Sequence, residues 1–350
     1  MILSIILRTA EGLSDREGDP SAFRGCGVPR LPRRCRSEPR CRLMALLRWQ
    51  RFAGVPHRGM MAAPPDQHGS AMLSYRHAFH AGNFADVLKH AVYVTVLRYV
   101  TIKAKPLYVL DTHAGAGVYD LGSPEAAKTR EHRAGIERVL AAPGSWPDLL
   151  APYLELVRAF NPPGRLAVYP GSPALARAIL RPQDRLELVE LHPTDHAALA
   201  ARFARAERAR VVRADGLAHL VARMPPPERR GVVLLDPSYE IKTDYEAVAR
   251  AIAKAHRRFA TGTYLLWYPV IERTRVEALL AALRATGIRA QYRIELCLLP
   301  DSPGRGMTGS GLVAINPPWM LPAMVEAGLP WLKQRLSAEG PCEAGWLVPE

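Results

Sequence analysis

A chain of 350 residues is long enough for one large α/β domain or two small ones, and with 48% apolar residues it can bury a sizeable core. Its net charge of +14 favours a polyanionic partner, because each Lys or Arg set against a phosphate releases a condensed counterion. No apolar run approaches the roughly 20 residues that span a bilayer. Cys26, Cys35, Cys41, Cys297 and Cys342 lack CxxC spacing, which argues against a zinc site and a disulfide framework. The expectation is a reduced, cytoplasmic protein.

Residues 1–71 hold twelve Arg, no Lys and six acids, with many Pro and Gly and no lasting periodicity. At Met72 the character changes to MLSYRHAFHAGNFADVLKHAVYVTVLRYV. A disordered basic arm, a transit peptide and an upstream stretch added by a wrong start compete for the leader. A transit peptide should be poor in acids, so the wrong start is preferred, with Met72 as initiator. Residues 72–350 keep +8, from 35 basic and 27 acidic residues.

After Met72, β-rich runs alternate with helical stretches. Candidate strands are 107–110, 186–191, 209–213, 231–235, 263–268, 292–299 and 311–315. Near-continuous apolar runs such as GVVLLD indicate buried parallel strands, and their alternation with helices indicates a doubly wound sheet. Seven strands, the last two forming a hairpin, is the count of the class I S-adenosylmethionine-dependent methyltransferase sheet.

The first strand runs into DTHAGAG, where Gly115 and Gly117 let a ligand approach the backbone and the next helix N-terminus. Alone this signal is weak. Glu190, ending the next parallel strand in LELVELHP, can accept both hydroxyls of a ribose, and Asp215 in VVRADG can face an adenine. Each acid could instead cap a helix; three strand-ending acids in order favour a cofactor site. From Gly117 to Glu190 the chain runs 73 residues, where about 20 is usual. The excess, roughly 122–168, is read as a small helical insertion suited to gripping RNA.

The fourth strand leads into LLDPSYE. Adenine N6 is a poor nucleophile because its lone pair is delocalised into the ring. An enzyme can localise that pair by accepting hydrogen bonds from both N6 hydrogens. The Asp236 carboxylate and Pro237 carbonyl suit this role, and Tyr239 could stack on an extruded base. The usual element is Asp-Pro-Pro-Tyr or Asn-Pro-Pro-Tyr; Ser238 replaces the second proline, freeing φ and restoring an N–H. Asn316-Pro317-Pro318-Trp319 fits the pattern better by letter, but it follows the seventh strand, so Asn316 is read as structural.

At MLSYRHAFHAGNFADVLKH, LDTHAGAG, YPGSP, ELHP, RADG, DPSYE, KTDY, LWYPV and RGMTGSGLVAINPPW the sequence closely resembles the RlmJ family of 23S rRNA (adenine-N6)-methyltransferases, from Met72 to Glu350. The resemblance implies a monomeric bacterial enzyme with an inserted helical subdomain, acting with S-adenosylmethionine on adenine 2030. It implies cofactor contacts from His90, His113, Ser172, Glu190, Asp215 and Gly216, with Gly115 and Gly117 in the cofactor loop. It makes Asp236 catalytic and sets Tyr75 and Lys89 against the RNA. His77, His80, His90 and His113 could suggest a metal, but N-methylation needs none. Rival readings are a DNA adenine-N6 methyltransferase, an inactive RNA-binding relative with Ser238 as its lesion, and a Rossmann oxidoreductase, in which DPSY would have no role.

Overall fold

The apolar runs after Met72 become one sheet and the helices that cover it. The computed structural model describes residues 76–142, 144–239, 244–301 and 306–350. Helix α1 (Phe84–Val100) comes first; the Asn83 side chain caps it by accepting from the Asp86 N–H at 3.0 Å. FADVLKHAVYVTVLRYV is apolar almost all round, so the helix is buried along nearly its whole length. Asp86, Lys89 and His90 are buried with it, three polar residues on adjoining turns of one face.

The strands follow in chain order as β1 (Tyr108–Asp111), β2 (Val118–Asp120), β3 (Val168–Pro170), β4 (Arg185–Val189), β5 (Ala209–Val212), β6 (Gly231–Leu235), β7 (Thr263–Val270), β8 (Gln291–Cys297), β9 (Gly309–Ile315) and β10 (Cys342–Val348). Eight of them form one sheet in the order β5–β4–β1–β6–β7–β9–β8–β10. The five from β5 to β7 are parallel, and β9, β8 and β10 continue the sheet antiparallel. This is the doubly wound sheet expected, with the β8–β9 hairpin, but it has eight strands rather than seven. The eighth, β10, has the sequence CEAGWLV and lies at an edge with every residue partly or fully exposed. No apolar run marks such a strand, because no face of it is fully covered.

From β1 the chain moves outward to β4 and β5, then crosses back to β6 on the other side of β1. That reversal opens a crevice at the carboxyl ends of the central strands. Helices α4 (Ser172–Ile179), α5 (Pro193–Phe203), α6 (Gly216–Arg223), α7 (Asp244–Arg258) and α8 (Arg273–Ala285) belong to this alternation. They are preceded by α2 (Pro124–Thr129) and α3 (Ala151–Ala159) and followed by α9 (Leu321–Leu336).

Between β1 and α4 lies the long excursion. It starts and ends on a two-stranded ribbon of β2 and β3, in which Tyr119 faces Tyr169. Beyond the ribbon the segment holds α2, a wide turn over Arg133–Glu137, and α3. It packs on the start of α1: the Ile136 N–H donates to the Gly82 carbonyl at 2.9 Å. A Cβ on Gly135 would meet that same carbonyl at 2.3 Å, so the two backbones touch where only glycine fits.

Candidate active site

The turns that follow β1, β4, β5 and β6 converge on a cavity of about 280 Å³ at the carboxyl edge of the sheet. Its wall takes Thr112 to Gly115 from the first turn, Glu190 to His192 from the second and Asp215 to Leu217 from the third. Asp236, Pro237 and Ser238 come from the fourth. Helix α1 contributes Lys89 and His90, the start of α4 contributes Gly171 and Ser172, and β7 contributes Trp267.

Most residues singled out by sequence meet here: Lys89, His90, His113, Gly115, Ser172, Glu190, Asp215, Gly216, Asp236 and Pro237. Tyr75 lies outside the described residues. Gly117 stands behind the wall. Its φ is +82°, its carbonyl accepts the Gly171 N–H at 3.0 Å, and it closes the β2–β3 ribbon. Tyr239 also stays off the wall. Its hydroxyl donates to the Trp267 carbonyl at 2.8 Å and its ring lies 4.4 Å from that of Tyr245. Tyr119 and Trp267 are the aromatic rings on the wall, and Trp267, beside Asp236 and Lys89, is fixed by its indole N–H to Ser310 Oγ at 2.8 Å. Lys89 is only 3% exposed at its side chain, so it meets the cavity but not the outer surface.

Glu190 accepts the Gly115 N–H on Oε2 and the His192 N–H on Oε1, each at 2.7 Å. The two bonds fix the carboxylate plane across the glycine turn and leave each oxygen a free lone pair. Burial raises the pKa of Glu190, and the same two backbone donors oppose that. Asp215 serves in both ways considered from sequence: its Oδ1 accepts the Ala218 N–H at 2.7 Å as the cap of α6, while the residue lines the cavity. Gly216 is obligatory, since a Cβ there would sit 2.1 Å from the Thr112 carbonyl. Asp111 underlies the wall rather than forming it. Burial pushes its carboxyl up to about 7, with a Ser172 hydrogen bond opposing.

Charge in the cavity centres on Lys89. Its ammonium donates to Asp236 Oδ2 at 2.5 Å and lies 2.9 Å from Asp86 Oδ1. Burial opposes its charge, but the two carboxylates hold its pKa well above the ordinary lysine range. Asp86 is fixed in turn by the Gly82 N–H at 2.8 Å and by His77 Nε2 at 2.9 Å. Asp86, His77 and Trp267 were not reached by sequence reasoning from spacing. The i, i+3 spacing of Asp86 and Lys89 on an otherwise apolar helix is the signal that could have found the first. His90 and His113 are held neutral by burial, at about 3 and about 4. Each finds a hydroxyl partner: His90 Nδ1 lies 2.6 Å from Tyr169 Oη, and His113 Nδ1 lies 2.7 Å from Thr112 Oγ1.

The second proline motif lies at the opposite edge. Strand β9 runs antiparallel to β7, with Ile315 beside Tyr264, so Asn316 emerges at the amino ends of the parallel strands. Its Nδ2 donates to the carbonyls of Ala260 and Gly262 at 2.7 and 2.8 Å, and its φ of +50° turns the chain. Asn316 ties a turn and faces no part of the cavity wall.

A strand-ending carboxylate across a glycine turn, beside apolar Leu191 and Leu217, fits a nucleoside with its ribose on Glu190. The fold and site define a class I methyltransferase, and its cofactor is S-adenosylmethionine. The family model for ribosomal RNA large subunit methyltransferase D, RlmJ, matches residues 104–348, and the chain belongs to this family. It is 50% identical over 281 residues to the ribosomal RNA large subunit methyltransferase J of Escherichia coli K12, covering 80% of this chain and all of the relative. The protein of the same name from Haemophilus influenzae is 45% identical over 282 residues, again covering 80% of this chain and all of the relative. A crystal structure of a Legionella pneumophila protein superposes with a TM-score of 0.70 at 39% identity, covering 76% of this chain and 97% of that one. Among the described residues no helix is long and apolar enough to cross a membrane.

Proposed function

We propose that this protein transfers a methyl group from S-adenosylmethionine to N6 of an adenine in 23S rRNA, the family's adenine 2030, as a cytoplasmic monomer. The observation that carries the reading is the Lys89–Asp236 pair beside Pro237 and Trp267 on the cavity wall. Lys89 occupies Oδ2 and leaves Oδ1 free to accept from an exocyclic amine. The Pro237 carbonyl accepts the second hydrogen.

In this reading Glu190 holds the ribose and Asp215 with Gly216 borders the adenine. His90 from α1, His113 from the turn after β1 and Ser172 from the start of α4 border the rest of the cofactor. The bound cofactor supplies an electrophilic methyl on a sulfonium. The Asp236 carboxylate and the Pro237 carbonyl would localise the N6 lone pair toward that methyl, and Asp236 would take the proton that N6 gives up on methylation. Trp267 offers the face on which the extruded base stacks, and Tyr239 braces Trp267 from behind. An incoming base can meet Lys89 only after it has left its own stack.

Methyl transfer to unmodified 23S rRNA, with the product nucleoside identified by mass spectrometry, tests this. N6-methyladenosine is expected; a different methylated nucleoside, or transfer to duplex DNA alone, would overturn it. We further propose that residues 72–350 suffice for the activity, with the insertion over roughly 122–168 as an RNA grip. A fragment 72–350 with unchanged turnover is the expected result, and a large loss would sink that proposal.

A further inference from the structure

The amino edge of the sheet differs in chemistry from the catalytic edge. Lys103 and Lys105 precede β1, Arg229 precedes β6, Arg257 and Arg258 end α7, and Arg289 precedes β8. All six are exposed and lie at the amino ends of the parallel strands or beside them. Arg258 donates to the Val221 carbonyl at 2.7 Å and Arg289 to a main-chain oxygen of Glu350, while Lys103, Lys105, Arg229 and Arg257 form no ion pair with a described carboxylate. The acids built into that edge are already taken: Asp184 by Arg181 at 2.9 Å and Glu228 by Arg185 at 3.0 Å. Glu207 and Glu350 are exposed there, too few to balance the cations.

Two large apolar side chains stand among these cations, Trp319 at 79% exposed and Ile102 at 77%. Trp319 belongs to the Asn-Pro-Pro-Trp turn that the chemistry leaves unused, and its ring meets no other ring among the described residues. Asn316 and the buried Pro318 hold that turn, so the indole projects from a fixed base. Ile102 precedes β1 and Trp319 follows β9, three strands away. At about 4.8 Å per strand that separation is roughly 14 Å, within the span of a few nucleotides. Cations interleaved with an exposed aromatic form the combination that binds unpaired nucleic acid: phosphates on the charges, a base on the ring.

We propose that the amino edge is a second RNA-contact surface, taking an unpaired segment of the substrate RNA outside the methylated site, with Trp319 as its stacking platform. The proposal rests on the rRNA reading above. Charge complementarity favours RNA over a protein partner, since an apolar protein surface would have to bury Lys103, Lys105, Arg229 and Arg257 with no carboxylate to meet them.

The test compares methyl transfer to full-length 23S rRNA with transfer to a short stem-loop carrying only the methylated adenine. For Trp319→Ala and for Lys103→Glu/Arg257→Glu, the KM for the long RNA should rise about 5- to 100-fold, the range of one lost base stack. The kcat and the short-RNA KM should not change, and Trp319→Phe should recover most of the loss. The slope of log binding against log salt on the long RNA should fall by about 1 to 2 in the double variant. Equal effects on both RNAs, or none on the long one, would overturn the proposal. So would a loss of binding confined to protein-bearing ribosomal particles. If the native chain methylates neither RNA, the enzymatic reading fails, while the salt titration of long-RNA binding still decides the amino edge.

Discussion

The two edges of the sheet carry four-residue motifs of the same pattern, a polar residue, a proline and a closing aromatic, and opposite chemistry. Asp236-Pro237-Ser238-Tyr239 ends the parallel strand β6 and brings a carboxylate to a cavity. Asn316-Pro317-Pro318-Trp319 ends the antiparallel strand β9, and there the polar side chain is spent on two loop carbonyls while the aromatic stands in solvent. Strand direction decides which edge a strand-ending motif reaches, and a short motif does not record direction. The carboxyl edge buries its charged groups in pairs, with Asp86, Lys89 and Asp236 in contact. The amino edge leaves Lys103, Lys105, Arg229 and Arg257 exposed, with no carboxylate paired to them.

The sharpest way to break this contrast is to exchange the loss of function. Asp236→Ala should lower methyl transfer by at least about 100-fold, the scale of removing a positioned acid–base group. Cofactor affinity should stay nearly intact, because the interaction matters chiefly in the transition state. Asn316→Ala should keep its turnover and lose about 1–3 kcal/mol of stability, from two carbonyls stripped of their donor. Activity in the first variant and none in the second would mean that the edges have been assigned the wrong way round.

Glu190→Ala comes next in size. It removes the acceptor of the Gly115 and His192 N–H groups, and with it the group proposed to hold the ribose. Calorimetry on the folded variant should show S-adenosylmethionine affinity weakened by about 1–3 kcal/mol. An unchanged affinity would remove Glu190 from the cofactor site.

The edges should also differ in their response to acid. His90 stays neutral down to about pH 3 in the folded state, whereas an unfolded histidine takes a proton near 6.5. Below that pH the unfolded chain binds the extra proton, so this histidine costs stability progressively as pH falls from 6.5 toward 3. Asp111, protonated up to about 7, works in the opposite sense between the ordinary carboxylate range and that pH. In His90→Gln the slope of stability against pH between 4 and 6.5 should be lower by about 1 kcal/mol per pH unit than in the native chain, uncovering the opposite slope from Asp111. Identical slopes in urea unfolding would show that His90 is not held neutral.

Ser238→Pro is the smallest effect expected. Where the turn permits it, proline removes conformational freedom worth about 0.4–1 kcal/mol. Turnover should be preserved or slightly raised, and a clear fall would show that the Ser238 N–H or its freer φ is needed.

The residues explain what the sequence made readable. Buried parallel strands are apolar on both faces, so GVVLLD and TYLLWYPV announce themselves, and acids or glycines at their ends mark the crevice. Strand β10 escaped because an edge strand needs no such run. The resemblance sets Lys89 against the RNA; the structure holds it inside between two carboxylates, one of which, Asp236, is 147 residues away. Tyr239 suggested a stacking ring by its place in the motif, but its φ of +54° turns it under Trp267, a reversal that no spacing encodes. Residues far apart in the chain meet through tertiary packing, and that is where the reading stopped.

The β2–β3 ribbon gives the excursion between β1 and α4 a double character as a module. Gly117 and Gly171 are held at hydrogen-bond distance, so the ends are already joined and the segment beyond them could be excised without stretching the chain. Its interior does not separate so cleanly. Tyr153 of α3 places its hydroxyl 2.9 Å from that of Tyr169, which in turn meets His90. A chain trimmed to the ribbon would therefore close its loop and still admit water to a histidine that the full-length protein keeps dry.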